Sequence, residues 1–155
     1  MKRMLSTMTV CLASSLLLLG CGHGFGMKTP DGFVELEDQK EYEYRATTAQ
    51  GVVIGVRVEP NRPKGNLGFW SDAIDLKLRN IGYTALEAAD IKTKSGAKGK
   101  QLRYTRNIYE RPHVFWFTVF VTEGDVFVIE TGGDERDFTK VKDEIVKSIE
   151  GFVPG

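Results

Sequence analysis

The chain has 155 residues, and its 21 basic and 21 acidic side chains give no net charge at pH 7. This length suits one ordinary domain, and the balanced charge argues against a protein that binds nucleic acid or an anionic surface through a strong electric field. Its two cysteines are too few for a disulfide-stabilised scaffold.

The first 20 residues have the pattern of a secretory signal. Lys2 and Arg3 precede an apolar run over residues 10–19, which is too short for a membrane-spanning helix because such a helix needs about 20 apolar residues. The run ends in Leu18-Leu19-Gly20-Cys21, which resembles the lipobox of bacterial lipoproteins. The alternative is an ordinary signal peptide with a cysteine near its cut site. The small residue before Cys21 and the lack of any later cysteine favour the lipobox.

The lipobox resemblance implies that a signal peptidase removes residues 1–20 and that lipid is attached to the thiol of Cys21. Several acyl chains on one residue hold a protein to a bilayer far more firmly than one chain does. The residue after the cysteine is Gly22. In enteric bacteria, an Asp at that position tends to retain lipoproteins in the inner membrane. The resemblance therefore implies a location in the cell envelope, at the outer membrane, with the membrane as a partner through Cys21.

The part that remains after cleavage reads as one domain on a tether. Residues 1–20 contain two basic residues and no acid, so the remaining 135 residues hold 19 basic and 21 acidic side chains, a net charge of about −2. Residues 21–30 are glycine-rich and unpatterned, which predicts a flexible tether. No repeat or second linker follows, so we predict a single domain over residues 31–155.

Alternating apolar residues predict strands in the first part of this domain. Residues 32–37, 41–46 and 52–59 alternate, and the second segment is expected to place Tyr42 and Tyr44 on one face. Residues rich in branched side chains favour strands over helices in such short runs. The three segments therefore predict a hairpin-rich sheet.

A helix is predicted next. Residues 60–66 hold two prolines and a glycine and are expected to form a loop, after which residues 69–81 have apolar residues at helical spacing. Ser71 is the expected cap at the start of this helix, and Gly82 is expected to end it. Residues 83–94 fit either a helical turn or a strand.

Three strands and a second helix complete the predicted elements. Residues 100–106, 114–121 and 125–130 are expected to be strands, and residues 134–150 an amphipathic helix. This order of elements predicts an α+β domain, with two main helices packed on an antiparallel β-sheet of about six strands.

The segment VFWFTVFV, residues 114–121, is apolar on both faces. Either the strand is central and both of its faces are buried, one of them beneath residues 83–94, or it exposes one face to a partner. The second alternative makes Trp116 and Phe120, together with Trp70, the candidate partner-binding residues.

Segments across the domain resemble the PsbP/DcrB-like family. They are GFVELE, the hairpin into VVIGVRVE, SGAKGKQLRY, VFWFTVFVTEGDVFVIE and VKSIEGF, over about residues 31–152. The resemblance implies an α/β/α sandwich of the kind found in photosystem extrinsic subunits and bacterial envelope lipoproteins. It also implies a mainly non-enzymatic role in capping, assembling or stabilising larger complexes.

No catalytic or metal-binding constellation is evident in the sequence. His23 lies beside Cys21, but an acylated sulfur offers no thiolate, and His113 has no second histidine in the folded part to complete a ligand set. No serine lies in a nucleophile elbow. We therefore expect no enzyme, no metal and no cofactor.

Two functions remain open at this point. The first is a lipid-anchored accessory or protein-interaction subunit of an envelope complex, such as assembly, secretion or motility machinery. The alternative is an envelope lipoprotein that binds a small ligand or lipid between a helix and the sheet. A cavity of several hundred Å3 lined by Tyr42, Tyr44, Trp70 or Trp116 would favour the alternative.

Overall fold

The computed structural model describes residues 24–37 and 40–155. The signal peptide predicted over residues 1–20 and the lipid attachment site predicted at Cys21 lie outside these ranges. Within them, no helix has the length and apolar character needed to cross a membrane. The elements in chain order are β1 (Phe25–Gly26), β2 (Val34–Glu35), β3 (Tyr44–Thr47), β4 (Val53–Pro60), α1 (Leu67–Asn80), β5 (Thr84–Lys92), β6 (Lys98–Ile108), β7 (Arg111–Val121), β8 (Asp125–Asp134), α2 (Glu135–Glu150) and β9 (Val153–Pro154).

Seven strands form one antiparallel sheet in the order β2-β3-β4-β8-β7-β6-β5. The strands β1 and β9 form a separate antiparallel pair. The two helices pack on the sheet, α1 against β6 and β7 and α2 against β7 and β8. The predicted α+β class with two packed helices is confirmed, and the main sheet has seven strands where about six were expected.

The larger core lies between the sheet and α2. Alternation along β4 sends Ile54 and Val56 into this core, where Phe127 and Ile129 of β8 meet them. The apolar stripe of α2 covers these strands with the side chains Phe138, Ile145 and Ile149. A stripe of this size removes enough apolar surface from water to stabilise the helix on the sheet, at roughly 25 cal/mol per Å2.

The central strand β7 is covered on both faces, as one alternative predicted, but by different elements from those expected. Trp116 and Phe120 are 4% and 1% exposed and belong to the core beneath α2. Phe117 points to the other face, where it packs with Leu78 of α1. The cover expected from residues 83–94 is wrong, because most of that segment is the edge strand β5 of the same sheet.

The helix α1 begins two residues before the predicted start. Its cap is Asn66, whose side-chain oxygen accepts a hydrogen bond of 2.9 Å from the backbone N–H of Phe69. The predicted cap Ser71 lies inside the helix, buried, and donates its hydroxyl hydrogen to the carbonyl of Leu67 at 2.7 Å. The stop at Gly82 agrees with its φ of +94°, a left-handed conformation that glycine adopts without strain.

The edge strands of the sheet are β2 and β5. A register shift between Ala85 and Glu87 interrupts the pairing of β5 with β6. Glu87 forms an ion pair of 2.7 Å with Arg103, and Asp90 one of 3.5 Å with Lys100. Both ion pairs join the edge strand β5 to a basic side chain of β6.

The N-terminal segment differs from the predicted tether. Residues 25 and 26 form β1, and the ring centroid of Phe25 lies 5.7 Å from that of Phe152. Met27 packs against the same core, and Pro30 is buried. The folded body therefore begins at about residue 25, which shortens the predicted tether of residues 21–30.

Candidate functional site

A cleft of about 490 Å3 lies between α1 and the sheet and is called the α1 cleft below. It exists because α1 packs over β6 and β7 and leaves the same face of β4 and β8 largely uncovered. Most of its walls are apolar. Its lining side chains are Arg57, Glu59, Trp70, Ala73, Ile74, Lys77, Leu78, Ile81, Tyr83, Phe117, Val126, Val128 and Glu130.

The position of α1 is fixed by a packing contact and a polar clamp. Leu78 is buried against Leu102, Tyr104 and Phe117 of the sheet. The hydroxyl of Tyr104 donates to Asp75 Oδ1 on the helix at 2.6 Å. Burial and then the Asp75 carboxylate raise the pKa of Tyr104 well above its ordinary value, so this phenol remains a donor throughout the physiological range.

An ion pair lies where the cleft reaches β4 and β8. Arg57 Nε lies 3.0 Å from Glu130 Oε1. The hydroxyl of Tyr42 donates to Glu130 Oε2 at 2.8 Å and accepts from Arg57 Nη2 at 3.3 Å. The three side chains therefore hold one another, and together they give the cleft one polar end.

The ring of Tyr42 packs closely on β4 because residue 55 is glycine. A Cβ atom on Gly55 would lie 2.6 Å from Tyr42 Cδ1, closer than such atoms ever approach. The guanidinium carbons of Arg57 and Arg45 lie 4.8 and 5.1 Å from the ring centroid, within cation–π range. Burial is the largest influence on the pKa of Tyr42 and raises it; Arg57 lowers it and Glu130 raises it again, so the net pKa is raised.

A second hollow of about 280 Å3 continues the cleft beyond this polar end. It shares Arg57, Tyr83, Phe117 and Glu130 with the α1 cleft. Its floor contains Gly132, on which the ring of Phe115 lies. The combined surface runs across the sheet from α1 to the start of β3.

Of the three candidate partner-binding residues, the structure brings only Trp70 to the cleft. Its indole Nε1–H donates to Asn61 Oδ1 at 2.8 Å, which fixes the ring at the rim. Trp116 and Phe120 lie under α2, on the opposite face of the sheet. The ring centroid of Trp116 is 4.9 Å from that of Phe138, and Arg103 Cζ lies 4.7 Å from the same ring. Burial removes Trp116 and Phe120 from any surface that a partner could reach in this structure.

The two tyrosines expected on one face lie on opposite faces. Tyr44 packs against the core on the α2 side and donates its hydroxyl hydrogen to Thr29 Oγ1 at 3.1 Å. Tyr42 precedes β3 and lies over Gly55 on the α1 side. Alternating positions share a face only within a continuous strand, and β3 begins only at Tyr44, so Tyr42 lies outside it.

Sequence reasoning also missed the ion pair in the cleft. Arg57 and Glu130 stand in the apolar segments VVIGVRVE and VFVIE, where alternation indicates only solvent-facing positions. The two charges lie diagonally across the paired strands β4 and β8. These strands are far apart in the chain, so the hydrophobic pattern does not show that they pair. The described residues contain no group of three or more His, Cys, Asp or Glu side chains that could hold a metal ion.

No protein-family model matches the chain, and no curated protein sequence matches it. Solved structures do match its fold. The PsbP protein CyanoP of the cyanobacterium Synechocystis sp. PCC 6803 is 11% identical with a TM-score of 0.63, and the match covers 86% of this chain and 88% of that one. LpqN of Mycobacterium tuberculosis, described as involved in cell envelope biogenesis, is 12% identical with a TM-score of 0.65, covering 83% of this chain and 82% of that one. A Pseudomonas aeruginosa protein of unknown function is 12% identical with a TM-score of 0.52, covering 86% and 85%. At these identities the likeness shows the fold, which is PsbP-like.

Proposed function

We propose that this protein is a non-enzymatic, lipid-anchored component of the bacterial cell envelope that acts by binding, with the α1 cleft as its binding site. The observation that carries the proposal is the cleft itself, about 490 Å3 of space with largely apolar walls. Clefts of roughly 300–1,000 Å3 with apolar walls and a few polar groups are the usual form of a binding site. The fold shared with an envelope-biogenesis protein supports an accessory role in the envelope.

The polar end of the cleft supports binding more than catalysis. Covalent catalysis needs a nucleophile with an adjacent base that is free to accept its proton. Here Arg57 and Glu130 form an ion pair with each other, and the hydroxyl of Tyr42 donates a hydrogen bond to Glu130. These groups are arranged to orient a bound polar group beside an apolar surface.

The first candidate function is an accessory subunit of an envelope complex, such as assembly, secretion or motility machinery. Its support is a set of exposed apolar side chains on α1 and at its C-terminal end. Phe69, Leu76 and Ile81 are 51%, 62% and 53% exposed, and Ile81 lines the α1 cleft. Phe69 and Leu76 are two helical turns apart and therefore lie on one side of α1. A partner protein that covers Ile81 would also cover the part of the cleft that this residue lines.

Site-specific photo-crosslinking in cells tests the first candidate. A photoreactive amino acid at Ile81, on the cleft, should capture one defined envelope protein that mass spectrometry identifies. The same amino acid at Leu86 is the matched control, because Leu86 is 61% exposed but does not line the α1 cleft. Identical products from both positions would contradict a partner on this face.

The second candidate is a small-ligand or lipid-binding envelope lipoprotein. The volume of the cleft favours it, together with the aromatic side chains of Trp70, Tyr83 and Phe117 next to the Arg57–Glu130 pair. Such walls suit an amphipathic molecule whose apolar part lies along α1 and whose polar part meets the ion pair. The sequence sets a cavity lined by Tyr42, Tyr44, Trp70 or Trp116 as the mark of this function. Trp70 lines the α1 cleft and Tyr42 the second hollow, whereas Tyr44 and Trp116 line neither.

Native mass spectrometry of protein extracted from membranes tests the second candidate. The wild type should carry an added mass that the cleft-filling variant Ala73→Trp lacks, and Leu86→Trp should retain it. An unliganded wild type that still crosslinks through position 81 would favour the first candidate.

The anchor is tested apart from the cleft. We propose that acyl groups on Cys21 hold the protein at the outer membrane. Membrane fractionation and mass spectrometry of the N-terminal peptide should show acylation in the wild type, and Cys21→Ala should appear in the soluble fraction. A Cys21→Ala protein that stays membrane-bound would contradict the lipid assignment.

A further inference from the structure

The folded body starts four residues after the proposed lipid site. β1 begins at Phe25, which pairs with Pro154 of β9. The Phe25 ring lies 5.7 Å from Phe152 and 6.3 Å from Phe127, both buried in the core beneath α2. An aromatic side chain packed against two core rings belongs to the domain and not to a linker.

Further contacts hold the residues that follow. The hydroxyl of Ser148 on α2 donates to the carbonyl of Lys28. Thr29 accepts a hydrogen bond of 3.1 Å from the Tyr44 hydroxyl, and Pro30 is buried. The segment is thus attached to both α2 and the sheet, so detaching it would cost several independent contacts at once.

The covalent chain limits how far this start can lie from the lipid. Only residues 22–24 separate Cys21 from Phe25. A fully extended chain spans at most about 3.6 Å per residue, so the two Cα atoms can be no more than about 14 Å apart, whatever path the chain takes. That is close to the radius of gyration of a domain of this size, about 13–14 Å. A tether this short cannot let the domain turn freely above the bilayer.

We propose that the β1–β9 end of the domain docks on the lipid headgroup surface and that the α1 cleft is held on the side away from the bilayer. This rests on the proposed acylation of Cys21. The β1–β9 end packs on the α2 side of the sheet, while α1 and its cleft lie on the opposite face. The partner is the headgroup layer, because the tether length brings no other surface within reach.

The surface at this end suits headgroup contact. Val153 of β9 is 45% exposed beside Gly26. Lys28 and Lys147 are exposed nearby, and each forms an ion pair with an acidic neighbour, at 3.8 Å to Asp31 and 2.6 Å to Glu144. Lysine stems and one aliphatic side chain can lie among headgroups while the charges remain solvated. The pairing keeps this end close to neutral, so docking depends on the tether and not on anionic lipid.

Single-cysteine labelling of the full lipidated protein tests the docking. Cys21 is the only cysteine after residue 20, and acylation blocks its thiol, so Val153→Cys and Leu76→Cys each give one free thiol. Both positions are exposed, which limits the effect of a label on folding. Each labelled protein is placed in phosphatidylethanolamine–phosphatidylglycerol vesicles that contain a quencher on the headgroup. We expect at least about twofold stronger quenching at position 153 than at position 76.

A longer tether gives the control. Inserting 20 Gly and Ser residues after Gly22 should leave the protein in the vesicle fraction and remove most of the difference between the two labels. Equal quenching with the native tether in an acylated protein overturns the docking alone. A difference that survives the insertion also overturns it, because the tether would then not be its cause. A protein that carries no acyl groups overturns both the docking and the lipid assignment.

Discussion

Gly55→Ala is the most informative single change at the polar end of the cleft. The methyl group would enter the space occupied by the Tyr42 ring, since a Cβ there lies 2.6 Å from Cδ1 and 2.9 Å from Cε1. It would also lie 3.3 Å from the carbonyl oxygen of Tyr44, which is part of the backbone and cannot turn aside. The ring must therefore move off β4 by roughly 1 Å to restore an ordinary contact of about 3.5–4 Å.

The size of the effect follows from what that movement breaks. A hydrogen bond to a charged partner contributes about 1.5–3 kcal/mol, and the Tyr42 hydroxyl makes one to Glu130 and one to Arg57. Tyr42 is only half-buried, so solvent replaces part of what is lost. Steric insertion into a packed site costs about 1–3 kcal/mol by itself. We expect Gly55→Ala to lower the free energy of unfolding by about 1–3 kcal/mol.

Urea unfolding followed by far-ultraviolet circular dichroism measures this change. Gly124→Ala is the matched control, because a Cβ at Gly124 has no atom within 4 Å and its backbone is not left-handed. Tyr42→Ala should destabilise alone, yet make a further Gly55→Ala cost much less, because only the 3.3 Å approach to the Tyr44 carbonyl oxygen then remains. If Gly55→Ala matches Gly124→Ala within error, the ring does not lie on β4 and the polar end is built differently.

Three further predictions concern the core, the clamp on α1 and a hairpin turn. Trp116→Ala should lower the free energy of unfolding by about 3–5 kcal/mol because the indole is buried. Phe69 is exposed, so Phe69→Ala should lower it by less than about 0.5 kcal/mol. Similar losses for the two variants in urea unfolding would show that Trp116 is not buried. Burial raises the pKa of Asp75, but hydrogen bonds from Tyr104 and a neighbouring arginine outweigh burial, so the net pKa is lowered. The contribution of Asp75 to stability is therefore fully present above its unfolded pKa of about 4, and it is lost as the pH falls through the lower folded pKa. Tyr104→Phe should therefore reduce the loss of unfolding free energy measured from about pH 5 to pH 2, and an unchanged pH profile would count against the clamp. Glu110→Gly should raise the unfolding free energy by about 0.5–1 kcal/mol because Glu110 has a φ of +62° in the β6–β7 turn; a lower urea midpoint would contradict that reasoning.

The long elements of the fold could be predicted because the spacing of apolar residues within each element is enough to identify it. The stripe of α2 and the alternation of β4 need no knowledge of their neighbours, and both lie close to the expected bounds. β5 could not be assigned in the same way. Its residues Thr84–Lys92 are mostly exposed at the sheet edge, so little hydrophobic pattern distinguishes a strand from a turn of helix.

The cleft was harder to predict than the fold because it depends on where α1 is placed across the sheet. The stripe of α1 predicts a buried side, but not which strands lie beneath it. That is decided by Leu78 and by the contact of Asp75 with Tyr104, 29 residues away in the chain. Tyr42 posed a related difficulty, since its place depends on Gly55 of the next strand.

The edge strand β5 gains a further importance if the protein is held at a membrane. Confinement to two dimensions raises the local concentration of copies and brings their sheets into frequent lateral encounter. The irregular pairing near Ala85 and the acidic side chains of Glu87 and Asp90 make β5 a poor template for another strand. At the other end of the sheet, β2 has only two residues. Crowded copies can therefore collide along either edge without their sheets merging into fibres.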